Sequence, residues 1–331
     1  MSLAGSRVSH RRRASSWAFG PSGSFRAGGR SGIILGSIVP EVFVAGRALI
    51  VVNPIAGRGT GRRVAQRLAA GLGERGIRGE LAITQEAGEA SEAAGLAAEH
   101  DLVVVVGGDG TLNEVINGLE ADRPVALFPL GTGNVAAKEL GLPRRAAAFC
   151  DMVRAGRERH LDLGGAEGRR FVSFAGIGFD AQVAARVAAG RQGAIRMSSY
   201  VGPVLRCLAT YGFPPLELSV DGAPPVTAGG FALVSNVRAY GGPLVIAHQA
   251  EHDDGLFDVC VLPPASKPRH VASLAALALR CPRWSGIRYM RGRAVHATSP
   301  HRVPYQVDGD AAGFLPATLA MLERKLRIIV P

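Results

Sequence analysis

Residues 101–111 read Asp-Leu-Val-Val-Val-Val-Gly-Gly-Asp-Gly-Thr. Four consecutive valines predict a strand buried on both faces, as in a parallel sheet. The strand runs into Gly107-Gly108-Asp109-Gly110-Thr111, a loop with little side-chain bulk and one carboxylate. Glycines there let backbone N–H groups approach a phosphate, and the carboxylate can hold Mg²⁺. The next residues, Leu112 to Asn117, predict a helix whose N-terminus also faces the anion. Strand, glycine loop, carboxylate and helix together predict a polyphosphate site.

Moving outward, the same alternation surrounds this unit. Ala48–Val52 and Glu80–Thr84 predict strands, and Thr60–Leu72 and Glu89–Glu99 predict helices, the first with Val64, Leu68 and Leu72 on one face. Downstream come a strand at Val125–Phe128, a helix from Asn134 and another at Arg145–Ala155. This βαβαβα order predicts a parallel sheet with helices on both faces.

Beyond Ala155 short strand-like runs take over: Arg159–Leu163, Phe171–Ala175, Leu216–Val220, Phe231–Asn236, Leu256–Leu262, Ala294–Thr298 and Tyr305–Val307. Turn signals such as Asp221-Gly222 and Asp308-Gly309 separate them, and helices are expected near Ala181–Ala189 and Val271–Arg280. The fold class expected is α/β. An N-terminal parallel-sheet nucleotide domain spans 47–145, and a C-terminal antiparallel, β-sandwich-like domain spans 146–317. Residues 318–331, with Arg327-Ile328-Ile329-Val330, are placed to return to the first domain.

The chain has 331 residues, 47% apolar and 20% charged, which fits a folded protein of two cores. Its formal charge is +11. Residues 1–46 hold six arginines against Glu41, a net +5, which leaves +6 on the remainder. These 46 residues lack periodicity and read as a disordered basic tail, a composition that organelle transit peptides share. A basic body suits an anionic partner such as a nucleotide or an acidic membrane surface. Nucleic acid is not expected, because no aromatic-basic surface motif accompanies the charge. Cys150, Cys207, Cys260 and Cys281 lie far apart and read as core residues of a reducing compartment. No apolar run reaches the ~18 residues of a membrane-spanning helix. The expectation is a cytoplasmic protein with transient peripheral membrane contact. Nothing in the chain sets its oligomeric state, and a homodimer is admissible.

Three glycine-rich loops leave the carboxyl ends of first-domain strands, the edge where open α/β sheets bind ligands. They are Asn53-Pro54-Ile55-Ala56-Gly57-Arg58-Gly59-Thr60-Gly61, Gly107–Thr111 and Pro129-Leu130-Gly131-Thr132-Gly133-Asn134. Each alone could be a tight connection; three on one edge point to an anion. A P-loop is excluded, since no Gly-x-x-x-x-Gly-Lys-Ser/Thr occurs and the chain has only Lys138, Lys267 and Lys325. Gly-x-Ser-x-Gly is absent too, against a serine hydrolase. Gly57, Gly59 and Gly61 are out of phase with the dinucleotide fingerprint.

Asn-Pro-x-x-Gly at 53–57, Gly-Gly-Asp-Gly-Thr at 107–111 and Gly-Thr-Gly-Asn at 131–134 resemble the diacylglycerol kinase catalytic-domain family. The resemblance continues through Gly176-Ile177-Gly178-Phe179-Asp180-Ala181, Asp253-Asp254-Gly255-Leu256-Phe257-Asp258 and Val307-Asp308-Gly309-Asp310, covering roughly 47–331. It is closest to the bacterial lipid kinases. The resemblance implies ATP- and Mg²⁺-dependent phosphorylation of a lipid hydroxyl, such as that of diacylglycerol, between a nucleotide domain and a β-rich lipid domain. It implies that Asn53, Gly57, Thr84 and Thr132 border the nucleotide, and that Gly107, Gly108, Asp109, Gly110, Thr111 and Asn113 hold the phosphates, Asp109 beside the catalytic metal. Asp310 stands where the family has Glu as general base, one methylene shorter. Val135 replaces an Asp that many members carry.

The resemblance also implies a structural metal at Asp254 with the backbone carbonyls of Glu251 and Leu256, oxygen ligands that suit Mg²⁺ or Ca²⁺. Asp253-Asp254-Gly255 equally reads as an ordinary hairpin turn. Asp180 is read either as a contact to the lipid head, as the resemblance suggests, or as the cap of a helix starting at Ala181. Two other functions stay open at this stage. NAD kinase shares a Gly-Gly-Asp-Gly-Thr loop, and Asp310 and Val135 keep a silent ATP- or lipid-binding regulator in view.

Overall fold

The computed structural model describes residues 45–86, 88–120, 122–190, 197–240, 244–279 and 286–331. Residues 1–44 of the tail expected at 1–46, and Cys281, lie outside them. The valine run forms a strand in which all six residues are buried. The first strands are Arg47–Val52 (β1), Arg78–Ile83 (β2), Leu102–Gly107 (β3), Val125–Pro129 (β4) and Glu158–Leu161 (β5). Their sheet runs β2-β1-β3-β4, then Leu326–Ile329, then β5. β1, β2, β3 and β4 pair in parallel, and Leu326–Ile329 joins β4 in parallel.

Between these strands lie a single turn at Ala56–Gly59 (α1), then Gly61–Gly73 (α2), Glu89–Gly95 (α3), Asp109–Gly118 (α4), Val135–Glu139 (α5) and Ala146–Ala155 (α6). The strand order moves outward from β1 to β2 and then back across to β3 and β4. Right-handed crossovers therefore put α2 on one face and α3 and α4 on the other. α3 packs on α4, and α6 packs on α2. One apolar core unites Leu68 and Leu72 of α2, Val115 and Ile116 of α4, Phe149 of α6 and the strands between them.

Two expectations are corrected here. Of residues 318–331, expected to return to the first domain, only Leu326–Ile329 joins the first sheet, while Ala317–Met321 pairs within the sandwich. The sequence pattern places the run Arg159–Leu163 in a β-rich domain beginning at 146. Its observed strand, β5, instead pairs antiparallel with Leu326–Ile329 in the first sheet, and α6 joins the first core. The reason is an open edge: β4 needs a neighbour, the chain's last strand supplies it, and β5 covers the edge that remains.

The remaining chain builds two six-stranded, mainly antiparallel sheets. One carries Phe174–Gly178, Phe231–Ser235, Phe257–Val261, Arg288–Gly292, Pro304–Val307 and Asp310–Phe314. The other carries Gly164–Ala166, Arg169–Phe171, Pro215–Val220, Val226–Gly229, Ala294–Thr298 and Ala317–Met321. Alternation divides the first of these sheets between two cores. Ala232, Val234, Val259 and Val261 meet the opposing sheet, whereas Leu233 and Cys260 face the other way. Among the described residues three helices cover that outer face: Phe179–Ala189 (α7), Val201–Thr210 (α8) and Lys267–Ala278 (α9). The sequence pattern does not announce α8. Val-Gly-Pro-Val-Leu-Arg-Cys-Leu-Ala-Thr has one charge and no capping signal, so it lacks the polar face by which a surface helix is recognised.

Candidate active site

The three glycine loops meet at the carboxyl edge of β1, β3 and β4, and they are tied to one another. Asn53 Nδ2 donates to Thr111 Oγ1 at 3.3 Å, Gly57 N–H donates to the Leu130 carbonyl at 3.0 Å, and Leu130 N–H donates to the Gly107 carbonyl at 2.7 Å. Gly108 and Gly131 face each other backbone to backbone. A Cβ at Gly131 would lie 2.5 Å from Gly108 Cα, and one at Gly108 would lie 2.8 Å from Gly131 Cα. No side chain fits between these loops. Thr84, at the end of β2, is buried and donates its hydroxyl to the Val52 carbonyl at 3.2 Å. Gly110 and Thr132 are exposed on the same edge.

Asp109 opens α4 at the centre of this arrangement. Its Oδ1 accepts the Ala136 N–H at 3.3 Å, and Gly133 approaches so closely that a Cβ would lie 2.9 Å from Oδ2. Burial, and next the charge of Asp308, push the Asp109 carboxyl up to about 6, against the pull of the Ala136 and Val135 N–H groups.

Asp308, which the sequence offers as a turn signal within the Val307–Asp310 motif, is tied to this edge through Asn113. Its carboxylate accepts N–H bonds from Val172 (2.8 Å), Ser173 (2.8 Å) and Phe174 (3.0 Å), and from Asn113 Nδ2 at 3.0 Å. Burial still raises it above the ordinary carboxylate value. Asn113, expected among the phosphate-holding residues, points its amide at Asp308 and at the Arg170 carbonyl. Asn117 and Arg170 complete this joint. Arg170 N–H donates to Asn117 Oδ1, and its guanidinium donates to the Ile116 and Leu119 carbonyls at the end of α4. Asp308 therefore joins the glycine-loop helix to the sandwich.

Two residues along, Asp310 is exposed, with the Arg169 guanidinium 4.0 Å away. The turn that carries it holds Asp308 and Gly309 at φ +47° and +95°. Asp180 is placed differently from one of its two readings. Gly178, not Asp180, precedes the first residue of α7, and the Asp180 side chain turns inward to accept bonds from the Tyr240 hydroxyl and, at 2.7 Å, Gln306 Nε2. It caps nothing. Its carboxyl is raised by burial.

At the proposed structural-metal position, Asp254 Oδ1 accepts the Leu256 N–H at 3.0 Å and Oδ2 is paired with Arg291. Arg291 Nε also reaches the buried Asp258 at 3.3 Å. Among the described residues no group of three or more His, Cys, Asp or Glu side chains is set to hold a metal. A metal at Asp254 would have to displace the Arg291 guanidinium from its carboxylate.

Glycine loops on a parallel-sheet edge are thus joined through a carboxylate to a β-sandwich. Residues 47–166 match the diacylglycerol kinase catalytic domain, and residues 173–330 match the YegS C-terminal NAD kinase beta sandwich-like domain. The diacylglycerol kinase of Mycobacterium tuberculosis is 30% identical, covering 86% of this chain and 96% of that protein. That of Bacillus subtilis is 29% identical, with the same coverage. A crystal structure of a diacylglycerol kinase from Bacillus anthracis superposes with a TM-score of 0.70 at 24% identity, covering 87% of this chain and 98% of that one. An NAD kinase from Archaeoglobus fulgidus in complex with ATP shares the fold at a TM-score of 0.50 and 14% identity, covering 86% of this chain and 93% of its own. The chain belongs to the diacylglycerol kinase family and is a lipid kinase.

Proposed function

We propose that the chain transfers the γ-phosphate of ATP to the hydroxyl of a membrane lipid such as diacylglycerol. The observation that carries this is the placement of Asp109 where three glycine loops converge, with Asp308 close enough to raise its pKa and Asp310 exposed on the next turn. Gly107, Gly108 and Gly131 line a cradle too narrow for side chains, which suits a phosphate chain held by backbone N–H groups. Two carboxylates that repel each other also suit a divalent cation, and Asp109 would hold Mg²⁺. A bound Mg²⁺ would neutralise phosphate charge. The lipid oxygen bonds to the γ-phosphorus, the bond to ADP breaks, and the hydroxyl proton passes to the Asp310 carboxylate.

Docking at a bilayer is part of the same proposal. Residues 181–216 and 259–307 contain no Asp or Glu. Within them α8 exposes Val201 and Leu205 beside Arg206, and Lys267 Nζ donates to the Ala209 carbonyl near its end. Acid-free segments with exposed apolar side chains suit an anionic lipid surface. Among the described residues no helix is long and apolar enough to cross a membrane.

Transfer of label from radiolabelled ATP, with Mg²⁺, to a lipid panel in mixed micelles tests the reading, with NAD as a control acceptor. Label in one lipid, lost in Asp310→Ala, supports it. Label on NAD alone makes the chain an NAD kinase, and ATP binding without any transfer makes it a silent regulator.

A further inference from the structure

Asp180 is 6% exposed, and its neighbours Gln306 and Tyr240 form a chain of bonds that leads to the Asp310 turn. Gly309 N–H donates to Gln306 Oε1 at 2.6 Å, and Gln306 Nε2 donates to Asp180 Oδ2 at 2.7 Å. The direction of the chain is fixed from one end. A backbone N–H can only donate, so the Gln306 oxygen faces Gly309 and its NH₂ faces Asp180, whose Oδ2 must accept. The Tyr240 hydroxyl closes the chain on Oδ1. Gly176 makes room for it: a Cβ there would overlap Asp180 Oδ2 and lie 2.7 Å from Gln306 Nε2. The Val307–Asp310 turn is thus held twice. N–H groups at 172–174 grip the Asp308 carboxylate, and Gln306 grips the Gly309 amide.

We propose that Asp180 is a positioning residue: through Gln306 it fixes the Gly309 amide and with it the placement of Asp310, while Tyr240 fixes Asp180 from the other side. The proposal rests on the lipid kinase reading for the role of Asp310. A headgroup contact would have to reach a buried carboxylate already bonded at both oxygens to Tyr240 and Gln306.

The bond directions give a test by exchange. Gln306→Glu sets a carboxylate oxygen against Asp180 Oδ2 and breaks the chain. The double variant Asp180→Asn/Gln306→Glu moves the amide to position 180 and the carboxylate to position 306. The amide nitrogen at 180 then donates to that carboxylate, and the amide oxygen still accepts from Tyr240. The carboxylate at 306 still accepts from the Gly309 N–H. Gln306→Glu is expected to lose kcat on the order of 100-fold, the scale of a misplacement of about 1 Å. Its KM for ATP is expected to stay within about twofold, since nucleotide contacts are untouched. The double variant is expected to recover to within about fivefold of wild type, the coupling a double-mutant cycle reads. Tyr240→Phe, which removes only the outer hydroxyl, is expected to fold and to lose kcat about threefold.

Amide exchange over residues 307–312 gives a readout free of turnover: faster in Gln306→Glu, restored in the double variant. Unchanged kcat and exchange in folded Gln306→Glu would overturn the proposal. So would a double variant no better than the single, or a raised lipid KM at unchanged kcat in Tyr240→Phe. Should wild type label no lipid, the kinase reading fails, and amide exchange alone decides whether Asp180 positions the turn.

Discussion

Replacing Asp109 by Asn is expected to abolish phosphate transfer and yet stabilise the protein in the absence of Mg²⁺ and nucleotide. In the folded chain burial and Asp308 raise this carboxyl from the ordinary 3.8 to about 6. A carboxyl raised on folding binds its proton more tightly in the native state, so ionising it works against the fold. The penalty is complete above pH ~6 and fades as pH falls toward the unfolded value. The gap corresponds to at most ~3 kcal/mol at pH 8 and about half of that at pH 5, less what solvent removes at a site that is not fully enclosed. Asn carries no charge, and its Oδ1 still accepts the Ala136 N–H. At about 2 °C per kcal/mol for a chain of this size, the thermal midpoint should rise about 5 °C at pH 8 and about half as far at pH 5. Differential scanning fluorimetry with EDTA at the two pH values reads both shifts. A lower midpoint at pH 8, or a gain independent of pH, would refute the electrostatic account of Asp109.

Gly131→Ala should drive a Cβ to 2.5 Å from Gly108 Cα, costing ~2 kcal/mol as overpacking and reducing transfer more than tenfold; an unchanged midpoint with full activity would sink the cradle. EDTA alone should leave the thermal midpoint of the nucleotide-free protein unchanged, because Arg291 supplies the cation at Asp254. Arg291→Met should lower that midpoint by ~2 kcal/mol equivalent, since it strands the buried Asp258. Val201→Ser with Leu205→Ser should weaken sedimentation with anionic vesicles about tenfold, and added salt should weaken it further; equal binding would move the docking face elsewhere.

What could be read from the chain followed from how local each signal was. Four valines in a row admit little but a doubly covered strand, and three glycine loops on one sheet edge together point to an anion. The β5 assignment failed because strand character is local and sheet membership is not: whether residues 158–161 finish one sheet or begin another depends on a strand at the far end of the chain. α8 was illegible because its inner face packs on the sandwich while Val201 and Leu205 stay exposed, so no polar stripe marks it. Asp180 misled as a cap because α7 starts two residues before the expected Ala181, which turns the carboxylate inward. Asp308 was hidden by its company, since Asp before Gly is first of all a turn.

That last residue explains why the two halves can share one site. A carboxylate buried between them would be costly unless its lone pairs were filled. Three consecutive backbone N–H groups and the Asn113 amide fill them, so the joint is satisfied by donors that carry no full charge. A cation in that role would have cancelled the Asp308 field. With neutral donors the field persists and reaches Asp109, where it adds to burial in raising the pKa. The contact that docks α4 on the sandwich thereby adds to the burial that leaves Asp109 electrostatically unsatisfied, and a divalent ion arriving with its nucleotide would relieve it.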